Sequence, residues 1–356
     1  MAALANARSA ARLRYWLGPW ASSTARPAQV AVRPVDGLPP GSRLYTPTDR
    51  APRGGLVISP GLHYDGPGDP RMDRLARILA TAGFVVLSPA SPDLMQLALT
   101  PSVIDDLVRA VDALLAAPEL PAGARPALFS VSVGSLAALR VAAMPRFAHR
   151  ISQLVVFGGF ADPVALMRAL TQRPRDPLNQ PLALLTLLMH GPDAPCATDA
   201  QRLRDAWHRM IRATWPRGEL KRPGSTGHHP IALALAAELP ARLRPLFLVG
   251  CGVQPGAWSH CASALARDHF AYLDPRPHLA TLTCPVTIIH GVADNVIPFE
   301  QAGALAAALP AAVRCTVLPT GLIAHSSTVA PSGRPLAVVR ELHQLHRICC
   351  TVERCM

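Results

Sequence analysis

Ser132 stands in a run of small residues that suits an activated nucleophile. The run spans 129–135 (FSVSVGS) and lies between a strand-like and a helix-like segment. A nucleophilic serine on a sharp strand-to-helix turn needs small residues two positions before and two after it, and Ser130 and Gly134 meet that need. The pattern predicts that Ser132 projects from the strand end and that the N–H of Val133 points toward a developing oxyanion. Taken alone, the run also fits an ordinary Ser/Gly turn.

Asp294 is the carboxylate best placed to support a catalytic base. It follows the strand-like run 285–289 and precedes Pro298, in the segment 290–294 (HGVAD). A supporting acid must lie on a loop just beyond a strand end, where it can fix the tautomer of an imidazole. An aspartate in this place could instead cap the next helix. Asp274 is a second acidic candidate, but it precedes the strand, so the order of residues favours Asp294.

His325 is the histidine that could act as the base. It lies on a predicted loop over 320–327, after the strand-like run 313–318. A single loop histidine carries little weight by itself. Here, however, one helix and one strand separate it from Asp294, and all three candidates follow strand ends. Nucleophile, acid and base in the order Ser132, Asp294, His325 are what an α/β sheet of this kind requires.

A second turn could complete an oxyanion site. It lies over 59–62 (SPGL), directly after the first apolar strand run. Gly61 suits a tight turn, and the N–H of Leu62 is the expected second donor to an oxyanion. His63 and Tyr64 follow at once, and they could contact a substrate or pack the loop.

Elements that would position these residues alternate along the chain. Strands are predicted over 55–59, 84–87, 127–131, 154–157, 285–289 and 313–318, and helices over 71–80, 102–117, 134–143, 300–309 and 335–347. Short apolar strands alternating with helices predict a mostly parallel sheet covered on both faces. The irregular stretch at about 160–283 is too long for a loop, so we predict a helical cap insertion there. The predicted domain spans 46–348, between an N-terminal arm and lead-in (1–45) and a C-terminal tail (349–356).

The ordered constellation resembles that of the α/β-hydrolase superfamily, over about residues 55–347. The pattern H-G-x-x-D-x-x-x-P occurs around Asp294, and the insertion follows the strand after which many members carry a cap. The resemblance implies a capped serine esterase, lipase or thioesterase with Ser132 as nucleophile and His325 as base. The oxyanion turn departs from it, because Pro60 stands where many members have histidine.

The chemistry expected from this site is acyl transfer to water, without an organic cofactor. Many apolar side chains in the insertion favour an ester or thioester with a hydrophobic acyl group. They are Leu166, Met167, Leu170, Leu182, Leu184, Leu185, Leu187, Leu188, Met189, Trp207 and Trp215. Two other classes stay open: a non-catalytic ligand- or partner-binding protein on the same fold, and a protein that binds a lipid surface through its basic N-terminal segment.

The composition argues for a folded chain. Of 356 residues, 50% are hydrophobic and 16% are charged, which argues against global disorder. The net charge of +12 could indicate a nucleic acid or an acidic membrane surface. The cations are scattered arginines, with Lys221 as the one lysine, and no RNP-like motif or zinc-finger spacing occurs. The predicted partner is therefore a small-molecule substrate rather than a nucleic acid.

The eight cysteines and the N-terminus bear on the compartment. No C-x-x-C pair occurs, so we predict free thiols in a reducing, cytoplasmic setting. The pairs His228-His229 and His260-Cys261 lack a carboxylate at ligand spacing, so no metal is expected. The first 27 residues are basic and contain no acidic residue, which fits a targeting segment, a mobile arm or a short amphipathic helix. No apolar run approaches the ~18 residues of a membrane span.

Overall fold

An eight-stranded sheet forms the centre of the computed structural model, which describes residues 2–18, 20–172, 174–191, 194–325, 327–328 and 335–354. Its strands are β1 (Val30–Pro34), β2 (Arg43–Pro47), β3 (Gly54–Ser59), β4 (Phe84–Ser88), β5 (Ala127–Val131), β6 (Leu154–Phe157), β7 (Val286–Gly291) and β8 (Cys315–Thr320). Their order in the sheet is β1-β2-β4-β3-β5-β6-β7-β8. Strand β2 is antiparallel to both neighbours, and β3 to β8 are parallel. A short hairpin, β9 (Ile323–Ala324) with β10 (Ser327–Thr328), lies outside the sheet.

Thirteen helices occur in the described parts of the chain. They are α1 (Ala2–Leu17), α2 (Pro70–Thr81), α3 (Pro92–Met95), α4 (Ser102–Leu115), α5 (Ser135–Ala142), α6 (Pro163–Thr171), α7 (Gln180–Leu187), α8 (Ala197–Thr214), α9 (His229–Glu238), α10 (Arg244–Gly250), α11 (Ala257–Leu265), α12 (Glu300–Ala308) and α13 (Pro335–Glu353). The predicted helices between strands are present with small shifts of their ends. Such shifts are expected where a cap such as Asp69, which accepts the N–H of Arg71, sets the first turn.

Alternate residues of the central strands supply two apolar cores. In β3, Leu56 and Ile58 belong to one core and Val57 to the other, and all three are fully buried. Side chains alternate between the faces of a strand, so a strand covered on both sides must be apolar throughout. Helices α1, α2 and α13 cover one face, and α4 and α5 cover the other. The prediction of a mostly parallel α/β-hydrolase sheet with helices on both faces is confirmed.

The N-terminal residues are more ordered than the predicted arm and lead-in. They form α1, β1 and most of β2, and α1 packs against α2 and α13. Leu13 is completely buried, and Arg12 binds Asp49 at 2.8 Å. Strands β1 and β2 were missed because their sequences, VAVRP and RLYTP, mix polar residues with prolines and lack a clear period of two. A prediction from local pattern could not show that β2 pairs antiparallel with β4 and that β1 adds the edge strand beyond it.

The stretch between β6 and β7 is helical, with α6 to α11 and several 3-10 turns in its described part. We call it the insertion. Its apolar side chains belong to the same buried cluster as those of α4 and α5, and within it the indole of Trp207 donates to the carbonyl of Phe247 at 3.2 Å. Most of the apolar residues that suggested a hydrophobic pocket are buried in it: Leu166, Met167, Leu170, Leu182, Leu184, Leu185, Leu187, Met189 and Trp207. These side chains therefore stabilise the insertion and do not by themselves describe a substrate.

The last helix, α13, extends through the predicted tail. It ends at Glu353 rather than near Arg347, so Cys349 and Cys350 are helical, and Cys349 is fully buried against the sheet layer. The seven described cysteines are free thiols, and Cys355 lies outside the described residues. The cytoplasmic location inferred from the thiols stays a prediction. None of the helices in the described parts is both long and apolar enough to cross a membrane.

We predict that α1 is an integral part of the fold. Leu13→Ala should lower the free energy of unfolding by about 2–5 kcal/mol, because it opens a cavity at a site with no exposure. Tyr15→Ala, two positions along the same helix and 63% exposed, is the matched control and should change it by less than about 0.5 kcal/mol. Urea unfolding followed by circular dichroism measures both. Equal effects of the two variants would show that α1 does not dock as described.

Candidate active site

Ser132 occupies a strained turn at the end of β5. Its φ is +56°, in the left-handed region that residues with side chains rarely adopt. A short 3-10 turn over Ser132–Gly134 leads directly into α5. Strain of this kind costs about 1–3 kcal/mol and persists only where the surrounding structure imposes it. The turn thus places Ser132 directly beyond the end of β5.

Close backbone contacts impose this turn. A Cβ at Gly134 would lie 2.4 Å from the carbonyl oxygens of both Ser59 and Pro60, so only glycine fits there. The Ser59 hydroxyl also donates to the carbonyl of Gly134 at 2.8 Å. Two residues before the nucleophile, Ser130 is buried and its hydroxyl points to the carbonyl of Val155 at 3.4 Å. A serine is therefore accommodated at a position where glycine is more usual.

Asp294 lies on the loop after β7 and is 1% exposed. Its Oδ1 accepts the N–H groups of Val296 at 2.9 Å and Ile297 at 2.8 Å, while its Oδ2 is 2.9 Å from Nδ1 of His325. Burial by itself would raise the pKa of Asp294. The hydrogen bond and charge of His325, together with the two N–H groups, outweigh burial and hold the pKa below its ordinary value. The carboxylate therefore both shapes its loop and holds the imidazole.

His325 follows β9, and its side chain is 14% exposed. Because an ionised carboxylate only accepts hydrogen bonds, Nδ1 must carry the proton that is shared with Asp294. The neutral ring then has an unprotonated Nε2, which is the atom that a general base uses. The φ of His325 is +27°, so His325, like Ser132, adopts a positive φ that is unusual for a residue with a side chain.

Gly158 directly follows β6, the strand between β5 and β7, so it lies between Ser132 and the Asp294–His325 pair. Phe157 on β6 is in register with Val131 on β5 and with Ile289 on β7, so Gly158 lies between the turn that carries Ser132 and the loop that carries Asp294. A Cβ on Gly158 would be 3.4 Å from Oδ2 of Asp294 and 3.7 Å from Nδ1 of His325. The φ of Gly158, +58°, is a second reason why glycine suits this position better than a residue with a side chain.

The Ser132 hydroxyl makes no hydrogen bond within the described part of the chain. Asp294 and His325 are thus in direct contact, whereas Ser132 follows β5, on the other side of β6, without a hydrogen bond to the ring. Catalytic hydrogen bonds are often loose in unliganded enzymes.

The turn after β3 passes directly against the serine. A Cβ on Gly61 would lie 3.1 Å from Cβ and 3.7 Å from Oγ of Ser132. The predicted oxyanion donors, the N–H groups of Leu62 and Val133, therefore belong to two turns that touch each other. The carbonyls of Ser59 and Pro60 against Gly134 fix this contact, so Pro60 does not prevent the turn from closing.

His63 and Tyr64 form an aromatic cluster with the insertion. Their rings are 4.4 Å apart, and Trp215, at the end of α8, lies 5.7 Å from His63 and 6.0 Å from Tyr64. The guanidinium of Arg212 stacks on Tyr64 at 4.2 Å. Burial lowers the pKa of His63, although Asp69 lies 3.6 Å away and opposes the shift. These contacts give the two residues a packing role that ties the oxyanion turn to the insertion.

Two supporting residues were given no role by the sequence analysis. Arg175, from the insertion, donates to the carbonyl of Asp294 at 3.4 Å. His290 is fully buried, with its Nε2 2.9 Å from the carbonyl of Ile297 and 3.5 Å from Oδ2 of Asp294. Burial lowers the pKa of His290, although its hydrogen bond to Ile297 and the charge of Asp294 oppose the shift. Of these, only His290 had a signal, its place in the H-G-x-x-D pattern; Arg175 lies in an irregular segment without one.

The other candidates from the sequence lie elsewhere. Asp274 binds Arg276 at 2.7 Å and its carboxylate also accepts the N–H of Arg276, so its contacts are with that residue rather than with His325. His228 is buried, and its Nε2 is 3.0 Å from the carbonyl of Cys251. Within the described ranges, no three His, Cys, Asp or Glu side chains gather closely enough to hold a metal ion.

We predict that Gly134 cannot bear a side chain. Gly134→Ala should destabilise the fold by about 1–3 kcal/mol, because its Cβ meets two backbone carbonyls that cannot move independently. Gly303→Ala in α12, where a Cβ meets nothing within 4 Å, is the control and should be neutral or slightly stabilising. Urea unfolding compares them, and a stable Gly134→Ala protein would contradict the described contact between the two turns.

We also predict a pH dependence for Asp294. Its pKa is lower in the folded than in the unfolded chain, so its ionised form stabilises the fold above about pH 4. That contribution is lost as the pH falls through the folded-state pKa. The unfolding free energy of the natural chain should therefore fall more steeply on acidification than that of Asp294→Asn. Parallel curves for the two proteins, measured by urea unfolding from about pH 7 to pH 3, would contradict this.

Comparison with known proteins gives a distant structural likeness. No family model and no curated protein matches the chain. An esterase from Pyrobaculum calidifontis is 16% identical, covering 98% of this chain and 88% of that one, with a TM-score of 0.47. Est1E from Butyrivibrio proteoclasticus is 12% identical, covering 91% and 99%, with a TM-score of 0.47. An esterase domain from Rhodothermus marinus is 14% identical, covering 92% and 97%, with a TM-score of 0.45. Likenesses this distant say nothing about the substrate, and the strand order itself shows that this chain has the α/β-hydrolase fold.

Proposed function

We propose that this protein is a serine hydrolase that cleaves a carboxylic ester or thioester through Ser132, His325 and Asp294. One observation carries the proposal: the 2.9 Å contact between His325 and Asp294 lies beside a serine held at positive φ. A strained serine alone, or a histidine bonded to an aspartate alone, also occurs in proteins without catalytic activity. Together, beyond the same ends of parallel strands β5 and β7 on either side of β6, they form the arrangement that nucleophilic catalysis by serine requires.

The proposed reaction begins at the carbonyl carbon of the substrate. Oγ of Ser132 attacks it while Nε2 of His325 takes the hydroxyl proton, and Asp294 stabilises the resulting imidazolium. The N–H groups of Leu62 and Val133 stabilise the negative charge on the carbonyl oxygen. Collapse of this intermediate breaks the bond to the alcohol or thiol, which leaves with the proton from His325. Water, activated by the same ring, then hydrolyses the acyl-serine and restores the free hydroxyl.

The geometry of the turns supports these roles. Asp294 is almost completely buried, so its charge acts on His325 with little screening by water. The turn that carries Leu62 is held against Ser132 by close backbone contacts at Gly134. Donors that are already in place contribute more to catalysis than donors that must reorganise.

An apolar acyl group is the substrate feature that the surroundings of the site favour. Leu62, Tyr64, Trp215 and Val296 are only partly buried and flank the turns that carry the catalytic side chains. Their exposed parts favour a hydrophobic group next to the scissile carbonyl. The chain's expected partner is therefore a small-molecule ester or thioester.

A non-catalytic ligand-binding protein on the same fold is the second candidate. It is favoured by the lack of a hydrogen bond from Ser132 to His325 among the described residues. It gives no reason, however, for a strained serine at position 132 or for a buried aspartate bonded to a histidine. Covalent labelling separates the two candidates.

We predict that Ser132→Ala abolishes both activity and labelling. The experiment uses a panel of p-nitrophenyl esters and acyl-CoAs, together with a fluorophosphonate probe. Loss of the nucleophile should reduce kcat/KM by at least about a thousandfold. Ser259→Ala, an exposed serine on α11, is the control and should keep full activity. Equal labelling of the natural chain and Ser132→Ala, or labelling of neither, would refute the proposed nucleophile.

A further inference from the structure

Helices α1 and α13 expose an unusual share of the large apolar side chains. Eight such side chains are exposed in the described part of the chain: Tyr15, Trp20, Val32, Val164, Leu233, Val292, Val339 and Leu342. Four of them lie on α1, on the turn after it, or on α13. Tyr15 is 63% exposed, Trp20 58% and Val339 64%. Isolated exposed apolar residues are ordinary, but a concentration on two packed helices indicates a contact surface.

The same two helices carry positive charge without exposed negative charge in their described residues. Helix α1 contains no acidic residue, and the exposed residues of α13 include Arg340 and Arg347. The acidic residues of α13 face inward: Glu341 binds the N–H of Gly321 at 2.9 Å, and Glu353 is buried.

A direct contact joins the two helices into one surface. Arg14 donates to Nδ1 of His346 at 2.6 Å, and Tyr15 and Trp20 are linked by an indole hydrogen bond of 3.0 Å to the Tyr15 carbonyl. We call this surface the α1–α13 face; it comprises Arg14, Tyr15, Trp20, Val339, Arg340 and Arg347.

We propose that the α1–α13 face binds an anionic lipid bilayer. Tyrosine and tryptophan prefer the boundary between water and lipid, where the ring is apolar and its polar atom can stay hydrated. Arginines at the same level attract acidic headgroups, each contributing to surface binding. Binding of this kind is peripheral: the face lies on the bilayer and no helix has to cross it.

Charge distinguishes this occupant from others. A second copy seated on the same face would bring Arg340 and Arg347 against their own counterparts, with no exposed carboxylate among the described residues of α1 and α13 to neutralise them. A nucleic acid would neutralise the arginines but would leave Val339 and Trp20 against a phosphate backbone. A bilayer with acidic headgroups satisfies both the charged and the apolar groups. The inference is independent of the role of Ser132, because none of these residues belongs to the active site.

Vesicle flotation of the full chain tests the proposal. The chain should float with vesicles of phosphatidylcholine and phosphatidylglycerol at about 3:1 but not with phosphatidylcholine alone, and raised salt should weaken binding. The double variant Arg340→Gln/Arg347→Gln should lose at least about tenfold in apparent affinity. The double variant Tyr15→Ser/Trp20→Ser should lose a similar factor, since its aromatic rings no longer enter the interface.

Matched controls come from elsewhere on the surface. The double variant Leu233→Ser/Arg217→Gln removes an exposed apolar residue and an exposed arginine from the insertion and should bind vesicles like the natural chain. Circular dichroism verifies that each variant is folded, and the comparison of the two vesicle types needs no variant at all. Absence of flotation, equal flotation with both vesicle types, or equal losses in the control would overturn the proposal. So would binding to duplex DNA, or self-association, that depended on Arg340 and Arg347 while vesicles were ignored.

Discussion

The buried carboxylate of Asp294 is the group on which the site depends. It is 1% exposed, and an isolated charge at such a depth would be strongly unfavourable. Three N–H groups make it tolerable: two from its own loop and one from His325. The same bonds fix the loop after β7 and the tautomer of the ring. Loss of the charge would therefore remove the shape of the loop together with the basicity of His325.

The order of the parallel strands determines where Ser132 lies relative to Asp294 and His325. Strands β5, β6 and β7 are neighbours, so the turns that follow them open at one edge of the sheet. The turn after β6 has to be thin, because Gly158 lies between the serine and the acid–base pair. On the other side, Gly134 and Gly61 let the oxyanion turn approach. Backbone atoms, rather than flexible side chains, thus set most distances in the site.

Local sequence predicted those parts of the molecule that depend on local rules. Buried parallel strands are continuous apolar runs, and a nucleophile turn needs small neighbours, so Ser132, Asp294 and the strands around them could be identified. Other parts depend on contacts between distant segments of the chain: the pairing of β1 and β2 with the sheet, the docking of α1, and the contact of Arg175 with the loop that carries Asp294. The apolar insertion was correctly expected to be helical, but composition could not distinguish buried core residues from residues that line a pocket.

The most direct test of the account is to locate a covalent adduct. The natural chain is incubated with a fluorophosphonate, digested, and its peptides are sequenced by mass spectrometry. We predict a single phosphonylated residue, Ser132, and slower formation of the adduct in Asp294→Asn because His325 loses its orienting partner. An adduct on another serine, or an unmodified Ser132 after prolonged incubation, would contradict the proposed catalytic site.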